Sequence, residues 1–99
     1  MQIFDNESIS SSLNETAKRI LKLGSSSGDG VILKVENRFE VFIQSGTDSY
    51  KFIKTDGRIR AEYDEAMDQL LSGGFILANN SRQNSYQLTS KGYEYTERL

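Results

Sequence analysis

Apolar positions recur along this chain in two rhythms. Leu13, Ala17, Ile20 and Leu21 keep helical spacing, with Lys18, Arg19 and Lys22 on the opposite side. Ser12-Leu13-Asn14-Glu15 has the S-x-x-E spacing of a capping box, and Asn14 is an equally good cap, so the helix begins within two residues of either. Gly24 offers a left-handed stop. After the Ser/Gly-rich connector over 25–30 the period changes to two, predicting strands over 31–35, 39–44 and 49–54. A turn centred on Asn37 pairs Val35 with Phe39, Leu33 with Val41 and Val31 with Ile43 on one face. Ile32/Phe42 and Lys34/Glu40 then share the other. A two-residue turn at Asn37-Arg38 sets Val35 against Glu40 and mixes charge into an apolar face, so the first register is expected. A loop over 45–48 extends the pattern, with Ile43/Tyr50 and Val41/Phe52 inside and Phe42/Lys51 and Glu40/Ile53 outside.

Asp56 or Thr55 caps a second helix, in which Tyr63, Ala66, Met67, Leu70 and Leu71 fall at i, i+3, i+4, i+7 and i+8. Gly73-Gly74 ends it. A strand over 75–78, a polar turn over 79–84 and a returning strand over 85–88 make a second hairpin, and Thr89 caps a short final helix. Residues 1–12, serine-rich from position 8, read as a flexible tail in which Ile3-Phe4 offers a short strand or docking hook. The expectation is an α+β fold in a single domain over 13–99: helix, three-stranded antiparallel meander, helix, hairpin, short helix.

Composition narrows the chemistry. The 99 residues contain no His, Cys or Pro, so there is no imidazole base, thiolate nucleophile or disulfide. Twelve basic side chains against fourteen acidic ones give a net charge of -2, without the basic footprint that nucleic-acid binders carry. No apolar run approaches the ~20 residues of a membrane span. Asp5 and Glu7 stand where a signal peptide has basic residues, and the lack of cysteine suits a reducing compartment, so a cytoplasmic location is expected. Gly28-x-Gly30 precedes a strand, whereas phosphate-cradling loops open a helix. Asp64, Glu65 and Asp68 have the spacing of solvated surface acids, and the serines lack an activating base. No catalytic residue, metal ligand, cofactor or small-molecule substrate is expected.

The carboxyl half is the most specific part of the chain. The segment from Ala66 to Ile76 is similar to the helix-into-wing passage of winged-helix domains. Tyr86-Gln87-Leu88-Thr89-Ser90-Lys91-Gly92-Tyr93 closely resembles the Y-x-L-T-x-x-G segment that closes the wing and starts the last helix. Together with Leu13, Ala17-Lys18, Ile20-Leu21 and Gly30-Val31-Ile32, the chain resembles winged-helix modules found at the carboxyl end of larger bacterial defence or stress-response proteins. The resemblance implies a winged-helix-like fold and either protein or DNA binding. It departs from the family in the middle, where strands over 31–54 occupy the place of a helix.

Two sets of candidate residues follow. Ile32, Phe42 and Ile53, ringed by Lys34, Glu40, Gln44 and Lys51, mark an apolar patch on the second sheet face, the signature of a protein interface or homodimer contact. Tyr95 joins them, because Tyr93 and Tyr95 lie about 200° apart on a helix and only one faces inward. For nucleic acid, the candidates are Arg58 and Arg60 on the second helix, Arg82 at the wing tip and Lys91 beyond it. Glu62, Asp64, Glu65 and Asp68 on that helix repel phosphates, so a protein partner is favoured over DNA.

Overall fold

The computed structural model describes residues 13–99. The tail expected over 1–12, including Ile3-Phe4, lies outside the described residues. The order is α1 (Glu15–Ser26), β1 (Val31–Glu36), β2 (Glu40–Ser45), β3 (Asp48–Ile53), α2 (Gly57–Ser72), β4 (Ile76–Ala78), β5 (Ser85–Leu88) and α3 (Ser90–Glu97). Each helix begins where its cap satisfies the free amide groups of the first turn. Asn14 accepts from Ala17 N at 2.8 Å, Asp56 from Ile59 N at 3.2 Å and Thr89 from Gly92 N at 3.1 Å. Asn14 also ties α1 to α2, through Gln69 Oε1 at 2.9 Å and the Glu62 carbonyl at 3.1 Å.

The five strands among the described residues form one antiparallel sheet in the order β3-β2-β1-β5-β4. The expected meander is present, and the second hairpin joins it by pairing β5 with β1, with Ile32 opposite Tyr86. The helices lie on one face. Ala17, Ile20 and Leu21 of α1 and Tyr63, Ala66, Met67 and Leu70 of α2 meet Ile32, Val41, Ile43, Phe52, Ile76 and Leu88 in one core. Leu71 is exposed, in contrast to its neighbour Leu70, because it lies at the margin of the apolar stripe of α2.

The β1–β2 register differs from the expected one. Val35 pairs with Phe42, Lys34 with Ile43 and Leu33 with Gln44. The turn residues are Arg38 and Phe39. Asn37 Oδ1 accepts from Phe39 N at 2.8 Å and Glu40 N at 2.7 Å, while Asn37 N donates to the Glu40 carbonyl at 3.0 Å. This asparagine clamp fixes the turn one and a half residues further along than a turn centred on Asn37. The resulting odd offset turns every β1 side chain to the other face. Ile32, expected on the second face, enters the core at 1% exposure; Val31, Leu33 and Val35 point away. The β2–β3 register is the expected one, with Val41 opposite Phe52 and Glu40 opposite Ile53.

Two glycines set close approaches. The helix runs through Gly24 instead of ending there, and a Cβ at Gly24 would lie 2.9 Å from Ile32 Cδ1. Gly92 brings α3 against the backbone carbonyl of Phe75, where a Cβ has no room.

Candidate functional site

The sheet face away from the helices is where apolar side chains gather outside the core. Successive pairings place Ile53 beside Glu40, Lys51 beside Phe42 and Val35, Leu33 between Gln44 and Ser85, and Val31 beside Gln87 and Leu77. Ile53, Phe42, Val35, Leu33 and Val31 therefore form a diagonal stripe across β3, β2 and β1, and Leu77 continues its line at the β4 edge beyond Gln87 of β5. Ile53 is 50% exposed, Val35 44% and Leu77 59%; Phe42, Leu33 and Val31 are half-buried by their neighbours. Among the described residues, no helix covers this face.

The flanks of the stripe are polar with little charge. Ser49, Gln44, Ser85 and Gln87 adjoin it, and at its Ile53 end Lys51 and Glu40 are paired at 3.3 Å. Lys51 Nζ also lies 5.9 Å from the Phe42 ring centroid. Hydrogen bonding from Asn37, with the Lys51 ammonium beside it, holds the Glu40 carboxyl below the usual carboxylate range. A depression of about 100 Å³ opens beside the β1 part of the stripe, lined by Asp29, Val31, Leu33, Gln44, Ser45 and Gly46.

On the helical side, Lys34 and Glu36 occupy the end of β1 beyond the core. Glu36 meets Lys54 at 3.0 Å and Lys34 at 3.2 Å, which lowers its carboxyl pKa. The two lysines thus share one carboxylate.

Of the expected interface residues, Phe42 and Ile53 share the outer face, while Ile32 is in the core. Tyr95 is half-buried and meets Phe75 edge-on, with ring centroids 5.3 Å apart. Tyr93 is half-buried as well, because the eight-residue α3 gives both tyrosines neighbours along its sides.

The basic candidates are dispersed. Arg58 and Arg60 are exposed near the start of α2, which follows edge strand β3; Arg58 Nε is 3.9 Å from Glu62. Arg82 is exposed in the turn before β5, near the opposite sheet edge. Lys91 follows the other end of β5, donates to the Gly73 carbonyl at 2.7 Å and lies 4.6 Å from the Phe75 ring centroid, so its ammonium is engaged at the end of α2.

Sequence reasoning passed over Val31, Leu33, Val35 and Leu77. The consecutive run Val31-Ile32-Leu33 carried the signal, since a strand apolar at successive positions has apolar side chains on both faces. Among the described residues, no group of three or more acidic side chains is arranged to hold a metal ion, and no helix is long and apolar enough to cross a membrane. No protein-family model matches the chain, and no curated protein or solved structure matches it at a significant level.

Proposed function

We propose that this chain is a non-catalytic, winged-helix-type interaction module that binds protein through the outer face of its sheet. The observation carrying the proposal is the diagonal apolar stripe from Ile53 to Val31, with Leu77 beyond it, on a face the helices leave open. Solvated sheet faces normally alternate to polar residues, and an apolar run across three neighbouring strands, here Ile53, Phe42, Val35, Leu33 and Val31, is the feature that distinguishes a binding face from an ordinary surface. The winged-helix part of the reading is supported by the β4–β5 hairpin running into α3 and by the Thr89 corner, whose hydroxyl bonds the Gly74 and Phe75 carbonyls and caps α3. Among the described residues, a catalytic reading has neither an activated nucleophile nor a clustered set of ligands behind it.

DNA binding is the weaker alternative. Arg58, Arg60, Arg82 and Lys91 do not converge, and α2 exposes Glu62, Asp64, Glu65 and Asp68.

The test is site-specific photo-crosslinking of the full chain in extract of its own cells. A photoreactive residue at Ile53 or Leu77 is expected to form a discrete covalent protein adduct, and the same residue at Arg60 is not. No adduct from the outer-face positions, or equal labelling at Arg60, would contradict the reading.

A further inference from the structure

We infer that the outer face takes a second copy of this chain, packed face to face about a two-fold axis lying along the apolar stripe. This rests on the interaction-module reading and names its partner.

Three observations carry it. The first is the direction of the stripe. From Ile53 to Leu77 its line crosses four strand spacings of about 4.8 Å and descends roughly three same-face steps of ~6.8 Å, an inclination of about 45° to the strands. A two-fold along such a line lays each stripe on its mate and crosses the strands at about 90°, one of the two preferred geometries for packed sheets. Sheets packed in the aligned class would match only part of the stripe.

The second is charge. Lys51 and Glu40 lie on opposite sides of the stripe at its Ile53 end. The two-fold carries each side onto the other, so Lys51 of one copy faces Glu40 of its mate, and the reverse. The alternating pair is therefore complementary to itself. A partner of another kind would have to supply a matching pair.

The third is area. Three strands of six residues, one of four and one of three, spaced about 4.8 Å apart at ~3.4 Å per residue, present roughly 400 Å² per copy, about 800 Å² for two, the size of a weak, transient contact. The inferred dimer is consequently a weak, reversible one.

The experiment is sedimentation of the full chain over roughly 5 µM to 1 mM, a range that spans the weak affinities of small interfaces. The wild-type chain is expected to pass from monomer to dimer, and Phe42→Asp to weaken association at least tenfold while retaining the wild-type circular dichroism spectrum. Lys51→Glu and Glu40→Lys are each expected to stay monomeric alone, since each places like charges across the axis, and to associate when mixed. Half-labelled wild-type chain should give intermolecular nuclear Overhauser effects at Phe42 and Leu33. A monomer throughout the range, variants that fail to associate on mixing, or effects at Phe42 arising within one chain from Ile3 or Phe4 would overturn the inference. A photo-crosslink from Ile53 to a different protein would overturn the second copy alone, leaving the binding face standing; no crosslink at all would remove both.

Discussion

Asn37 shows how much one side chain decides. By accepting from Phe39 N and Glu40 N it sets the hairpin turn, and the turn selects which β1 residues are buried. Asn37→Ala is expected to lower stability by about 1–2 kcal/mol, with both amides losing their local acceptor. Chemical denaturation of the two proteins measures this. Gly92 is a second such position, since any Cβ there meets the Phe75 carbonyl, a backbone group that cannot step aside. Gly92→Ala is expected to cost about 1–3 kcal/mol, read from the denaturation midpoint; an unchanged midpoint would mean that α3 does not sit where it is described. Glu36 gives a pH signature. Its carboxyl pKa is lowered from 4.5 by Lys54 and Lys34, so its contribution is present above that value and is lost as pH falls through the folded pKa. Thermal stability of the wild type should therefore drop in acid, and Glu36→Gln should flatten that drop while being less stable near neutral pH.

At the level of elements, helices and caps were legible because their signals are local. Asn14, Asp56 and Thr89 all act as caps, and the Tyr63–Leu70 spacing buries one face of α2. Gly24 misleads because a helix can run through a glycine when a neighbour, here Ile32, needs the space. The β1 register was not legible for a related reason. Val31, Ile32, Leu33 and Val35 are all apolar, so either face of β1 satisfies the hydrophobic pattern, and the choice passes to the turn. The β2–β3 register was legible because Glu40 and Lys51 fall on one face and Val41, Ile43 and Phe52 on the other, admitting one solution. That part of the candidate site, Phe42 with Ile53, was found from sequence; Leu33, Val35 and Leu77 required the pairing itself. Among the described residues β3 is an edge strand, and Lys51 in its middle is a charge that discourages edge-to-edge strand pairing.

For the whole molecule, the sheet separates two environments. Among the described residues, the helical side closes over one core, and the outer side keeps its apolar stripe with the Lys51–Glu40 ion pair. The dispersed cations and the net charge of -2 predict no binding of duplex DNA at about 50 mM salt, where phosphate contacts are strongest. A fluorescence anisotropy titration at ~50 and ~200 mM salt tests this, and steeply salt-dependent binding would favour the wing and Arg58/Arg60 instead. Which side chains the sheet turns outward underlies everything said of its function. The most direct measurement is the cross-strand nuclear Overhauser pattern of the β1–β2 hairpin. Close α-protons for Lys34 with Ile43 and for Glu36 with Val41 are predicted, whereas close approach of Leu33 to Val41 would return Ile32 to the outer face and contradict the account.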